Sequence, residues 1–196
     1  MMKFAGLTFT EHKVDVDAPE VRAELLLLAP SILVPCLNHN GIRVWDTLAI
    51  GEYLNEVAPK AGLLPTEMVR RAHCRAICGE MHSGFSAMRA SLPMNFKAQL
   101  KSFKVWSKAQ ADIDRIIEIW SDCSKRYKGP YLFGAKPNLA DAMFAPVASR
   151  FTTYGVNLPK VCAKYRDTIM ALPAMQEWRK QALQEPEEFD ELDMDF

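Results

Sequence analysis

Asp46 and Thr47 stand directly ahead of Leu48, Ala49, Ile50, Tyr53 and Leu54, whose three- and four-residue spacing predicts a helix with one apolar face. Either residue can serve as the N-cap. The first turn of such a helix presents unpaired N–H groups and the positive end of the backbone dipole, so this position can hold a carboxylate.

The other reactive side chains are sulfur and imidazole. Five cysteines, Cys36, Cys74, Cys78, Cys123 and Cys162, are odd in number and form no CxxC pair, which reads as reduced, buried, small apolar residues. His73, Cys74, Cys78 and His82 fall on one predicted helix. Cys74, Cys78 and His82 share a face, but residues eight apart are separated by about 12 Å of axial rise, too far to share one tetrahedral zinc with bonds near 2 Å. No metal is expected there. His82 titrates near neutrality and invites a catalytic role, yet no acid or nucleophile stands at a readable spacing from it, and a hydrogen-bonded helix histidine is the preferred reading.

The elements that must position Asp46 and Thr47 are local. Val34-Pro35 opens a short apolar run, Asn40-Gly41 is a strong two-residue hairpin turn, and Ile42 to Trp45 reads as the returning strand. Strand, tight turn, strand and helix thus follow one another from Val34 to Asn55. Upstream, Gly6-Leu7-Thr8 reads as the end of a helix, Phe9 to Val16 as a strand, and Val21 to Leu28 as a helix. Residues 58–65 carry two prolines and a glycine and make a linker.

Beyond the linker the pattern is helical throughout. Thr66 to about Ala90 reads as one long helix with Cys74, Ile77, Cys78, Met81, Phe85 and Met88 on its apolar stripe, and Gln99 to Tyr127 as a second. Asn138 with Asp141 three residues on forms a capping box for a third helix, kinked by Pro146. Val161 to Ala171 and Pro173 to Leu183 complete the set.

Hydrophobic residues at 49% suffice for a core, and no apolar run reaches membrane-spanning length. With no signal pattern at Met1, a cytoplasmic protein is expected. The formal net charge is zero, but Glu185 to Phe196 hold seven of the 24 acids, leaving 24 bases against 17 acids elsewhere. A short acidic tail reads as a solvated segment, and nothing here calls for nucleic acid or a membrane as partner.

The order Val-Pro, Asn-Gly, then Asp-Thr-Leu-Ala-Ile resembles the glutathione S-transferase superfamily, as do the segments EMHSGFSAMRASLPMN (residues 80–95) and ALPAMQEW (171–178). The middle segment is similar to bacterial transferases of the serine group. The resemblance implies an α/β thioredoxin-like domain over residues 1–57, a linker over 58–65, an all-α helical-bundle domain over 66–184, and an acidic tail over 185–196. It further implies that Pro35 is cis, that the Val34 backbone clamps the cysteinyl part of glutathione, and that Asp46 and Thr47 hold the γ-glutamyl end. Glutathione is then the co-substrate, a small electrophile its acceptor, and a homodimer the expected assembly. Arg89 could meet a glutathione carboxylate or be a solvated or interface arginine. Phe144, Phe151 and Tyr154 could flank the electrophile or pack against the long helices.

In that family a strand and a complete first helix precede the segment that Met1 to Val16 resembles, and the catalytic serine, tyrosine or cysteine follows that strand. No residue here matches that position. The thioredoxin-like domain is therefore expected to be incomplete, without its central first strand, either because translation starts further upstream or because the protein is a shortened relative. The functional readings that follow are a transferase conjugating glutathione, a non-catalytic glutathione-binding or scaffold relative, and a maleylacetoacetate-type isomerase. A thiol oxidoreductase using Cys36 is disfavoured, because that cysteine follows the proline instead of opening a helix.

Overall fold

The computed structural model describes residues 1–14, 34–100 and 103–185. The chain divides into two compact units, Met1–Thr66 and Glu67–Phe196.

In the first unit, Met1 to Leu7 form one helical turn held by Ala5 N–H to Met1 O (3.0 Å) and Leu7 N–H to Met2 O (3.1 Å), and Gly6 at φ 66° ends it. Residues 9–14 carry no strand, correcting the strand expected from Phe9. A strand exists only through its pairing, and the loose alternation here finds no partner among the described residues. The helix expected at Val21 to Leu28 lies outside the described residues.

Strands β1 (Cys36–His39) and β2 (Ile42–Trp45) pair antiparallel, Cys36 opposite Trp45 and His39 opposite Ile42. Asn40 and Gly41 both take positive φ, 52° and 81°, the type I′ geometry whose twist matches that of the strands. Helix α1 (Thr47–Val57) follows at once. Its Ile50 and Leu54 pack with Leu63, and around them close Met1, Met2, Phe4, Leu7, Leu37 and Val44. The Asn55 side chain accepts from Leu64 N–H at 3.1 Å, fixing the segment after the short 3₁₀ turn Pro59–Ala61 onto the helix.

The second unit is helical. The long helix expected from Thr66 to Ala90 is two, α2 (Met68–Ser83) and α3 (Ser86–Ser91), broken at Gly84-Phe85. A Cβ on Gly84 would lie 2.7 Å from the Glu80 carbonyl oxygen, and Phe85 takes φ 62°. The break lets Phe85 and Met88 both turn inward. The apolar stripe of an unbroken helix has the same spacing, which is why the interruption is invisible to periodicity.

Helix α4 (Ser107–Tyr127) starts eight residues later than expected. The stretch ahead of it is fixed by tertiary bonds: Leu100 N–H donates to Thr153 O at 2.7 Å and Phe103 packs edge-on against Tyr154 at 4.9 Å. Helix α5 (Leu139–Thr153) is buried on nearly every side and forms the centre of the unit, with α6 (Lys160–Met170) and α7 (Pro173–Ala182) after it. Phe144 and Phe151 are fully buried against Trp120 and belong to this core, which is the packing alternative of the two that the sequence left open.

Candidate functional site

Register brings the candidate residues together. Cys36 opposite Trp45 is the last rung of the hairpin, so its open end continues through Pro35 and Val34 on one side and through Asp46 and Thr47 on the other. Paired strands run about 4.8 Å apart. Two dipeptides distant in sequence therefore flank one corner of the first unit.

The Val34–Pro35 peptide is cis, and Val34 is half exposed. On the other side the chain must change from a strand to a helix within one residue. Asp46 does this at φ 73°, an uncommon value for a residue with a side chain. Its carboxylate Oδ1 accepts from Leu48 N–H (2.9 Å) and Ala49 N–H (3.0 Å). These bonds satisfy two of the four amides that an α-helix leaves unpaired at its start. Thr47 occupies the first helical position, half-buried, where its own N–H has no partner within the helix. A hydroxyl and an amide on one residue can both donate to a single incoming carboxylate, and Asp46 beside them can attract an ammonium. The chemistry suits the zwitterionic end of an α-amino acid.

One supporting contact left no trace in the sequence pattern. His39 Nδ1 lies 2.8 Å from the Tyr53 hydroxyl, with the rings edge-on at 5.9 Å, and ties the hairpin tip to α1. The two residues are fourteen apart on different elements, a separation that no local periodicity reports.

The reactive residues of the second unit are occupied with structure. Burial pushes the Cys123 thiol up to about 12 and raises that of Cys162, whose Sγ meets the Ser121 hydroxyl at 3.3 Å. Thiols held protonated are poor nucleophiles. His73 Nδ1 bonds the Tyr127 hydroxyl at 2.8 Å and its ring packs edge-on against Phe133, while burial holds the imidazole below its usual value. Arg89 donates from Nε to Gly84 O at 3.2 Å and from Nη2 to Met81 O, closing the C-terminus of α2. At this exposed position it acts as a helix cap.

Asp141 does more than the capping box foretold. Its Oδ2 accepts from Asn138 N–H at 2.9 Å, while Oδ1 accepts both Leu132 N–H (3.1 Å) and the Tyr165 hydroxyl (3.0 Å). One fully buried carboxylate so joins α5, the preceding loop and α6.

Comparison with known proteins agrees with this architecture. Residues 1–56 match the glutathione S-transferase N-terminal domain and residues 79–181 the glutathione S-transferase C-terminal domain. Glutathione S-transferase 1 of Dianthus caryophyllus is 30% identical over 78% of this chain and 71% of its own length. A probable maleylacetoacetate isomerase of Caenorhabditis elegans is 28% identical over 84% and 78%. Among solved structures, a glutathione transferase homolog from Burkholderia gl BGR1 with bound glutathione superposes with a TM-score of 0.67 at 25% identity, covering 93% of this chain and 86% of that one. Glutathione S-transferase 1-6 of Anopheles dirus species B shares the fold, with a TM-score of 0.73 at 20% identity over 93% and 87%.

Proposed function

This chain belongs to the glutathione S-transferase superfamily, and from that premise we propose that it binds glutathione at the hairpin corner and joins its sulfur to small electrophiles. The observation that carries the reading is the corner formed by Val34-Pro35 and Asp46-Thr47 at the open end of β1 and β2. Val34 presents its backbone to the cysteinyl part in the manner of a strand. Thr47 donates N–H and hydroxyl to the γ-glutamyl carboxylate, and the Asp46 carboxylate faces the adjacent ammonium. The Burkholderia homolog, with glutathione bound, supports this ligand.

The chemical step forms a carbon–sulfur bond between the glutathione thiolate, whose proton has passed to solvent, and an electrophilic carbon; either a leaving group departs with its bonding pair, or a π bond breaks and its pair moves to the neighbouring atom, which takes a proton from solvent. Binding and orientation fall to the four residues named. No residue of this chain is assigned to holding the thiol as thiolate. The protein is read as a cytoplasmic homodimer after its family, a state that sedimentation equilibrium checks directly.

A second reading, a maleylacetoacetate-type isomerase, is supported by the likeness to the nematode protein. Free thiol distinguishes the two reactions. Conjugation removes one thiol per product formed, whereas isomerisation returns it.

Titration calorimetry with glutathione tests the site. Thr47→Val removes a donor to a charged group and is expected to weaken binding about tenfold or more. Asp46→Asn retains a good N-cap, so helix content holds while affinity falls. Wild-type affinity in both variants, or no binding to the parent protein at millimolar glutathione, would sink the assignment.

A further inference from the structure

One face of the second unit gathers positive charge around Glu185. Arg150, half-buried in the last turn of α5, donates from Nε to Leu92 O at 2.8 Å and from Nη1 to Pro146 O at 3.2 Å, with Nη1 4.0 Å from Met94 Sδ. All three acceptors are neutral. Arg89, exposed nearby, likewise spends Nε and Nη2 on the carbonyls of Gly84 and Met81. Neither guanidinium bonds a carboxylate among the described residues, and burial together with the Arg89 charge holds Arg150 below its usual value.

The stretch from Leu92 to Lys97 that Arg150 holds also holds Glu185. Lys97 Nζ donates to the Glu185 carbonyl oxygen at 2.7 Å, and Thr153, one turn beyond Arg150, donates from Oγ1 to Asn95 O at 2.6 Å. Apolar groups stand open on the same face. Trp178 is exposed with its ring edge-on to Phe96 at 5.2 Å, Leu100 is exposed with its N–H donating to Thr153 O, and Leu183 is exposed two residues before Glu185. The sequence beyond Glu185 has the complementary pattern. Residues 187–196 hold six acids and no base, and Phe189, Leu192, Met194 and Phe196 stand among the acids at spacings of two and three.

We propose that this face, with Arg89, Lys97 and Arg150 beside exposed Leu100, Trp178 and Leu183, is the docking surface for the acidic residues 187–196 of the same chain. Charge selects the occupant, because carboxylates supply the acceptors that the two arginines lack. Reach allows it. Leu92 and Lys97 are at most about 18 Å apart along an extended chain, and six residues beyond Glu185 span about 20 Å, so the segment covers the distance to Arg150. Ion pairs at a surface are individually weak. A segment anchored at Glu185 nevertheless stands beside the arginines at an effective concentration on the order of millimolar, so several weak pairs hold it together. Docking covers the guanidinium groups and excludes other anionic partners from them. The surface belongs wholly to the second unit and does not depend on glutathione binding.

Cleavage of the full chain by a glutamate-specific endoprotease, after Glu188 and Glu191, tests the docking directly. The rate is expected to lie about tenfold below that of a free peptide of residues 183–196, since cleavage follows the fraction of undocked segment. It should rise to the peptide rate in about 1 M salt, where charges are screened within about 3 Å. Arg89→Gln combined with Lys97→Gln should raise it likewise, with thermal melts verifying that the variant folds. Asp190→Asn combined with Asp193→Asn and Asp195→Asn leaves the described elements untouched, and is expected to release the segment when compared with the peptide of its own sequence. Protection that survives dilution and is lost in both variants supports the assignment. A full-chain rate equal to that of the peptide, protection indifferent to both variants, or protection that vanishes on dilution, the mark of docking on a second copy, overturns it.

Discussion

Asp141 illustrates how one side chain can exceed its local role. Burial pushes its carboxyl up to about 6 against a usual 3.8, although the Leu132 and Asn138 amides and the Tyr165 hydroxyl all favour the anion. The folded protein therefore holds a proton that the unfolded chain has released between those two values. The resulting stability is fully present below the lower value and is lost as pH rises through about 6. Urea midpoints measured from pH 7 down to pH 4 should show the parent gaining on Asp141→Asn by roughly 2–3 kcal/mol. A difference that stays flat with pH would show that the carboxyl does not titrate there. Asp141→Ala leaves three buried donors without an acceptor, and a loss on the order of 3–5 kcal/mol is expected in the same assay at pH 7.

Among the elements, the break between α2 and α3 is the sharpest departure from a regular pattern. Gly84 accommodates the Glu80 carbonyl, Arg89 takes up the Met81 and Gly84 carbonyls, and the Asp112 carboxylate accepts from Met88 N–H at 2.9 Å, joining α3 to α4. Arg89→Ala removes the cap without touching the core, and should lower stability by about 1–2 kcal/mol while glutathione affinity stays at its parent value. A loss of glutathione binding in that variant would return Arg89 to the ligand. The loop before α5 has a tighter constraint. A Cβ on Gly129 would run into the backbone of Gly134, with which the loop bridges at Tyr131, so Gly129→Ala is expected to cost on the order of 2 kcal/mol or more by chemical denaturation.

At the scale of the molecule, the described elements of the two units differ, a hairpin with one long helix in the first and helices in the second. The second is built around a helix buried on nearly all sides, with Trp120, Phe144 and Phe151 at its centre. Among the described residues of the first, Ile50, Leu54, Leu63 and Leu64 are buried, and Met1, Met2, Phe4, Leu7, Leu37 and Val44 pack partly covered around the first three. Glutathione at about one hundred times its dissociation constant should stabilise the protein by about 2.7 kcal/mol, read as a rise in melting temperature that Thr47→Val loses at the same concentration.

What could be read from the chain alone was what lies within one turn or one hairpin. Asn40-Gly41 can form its type I′ turn because both residues tolerate positive φ, and Asp46 can cap α1 because its acceptor reaches amides two and three positions ahead. The Asn138–Asp141 box is local in the same sense. The order of these pieces carried the family resemblance. Only the tertiary structure decided where the long helices stop, since Phe85 and Met88 keep helical spacing across a broken helix and Phe103 packs on Tyr154 from outside one. It also decided that Asp141 meets Tyr165 and that His39 meets Tyr53. Local hydrogen bonds are specified by short runs of residue types, whereas these contacts arise when distant elements compete to bury the same apolar surface.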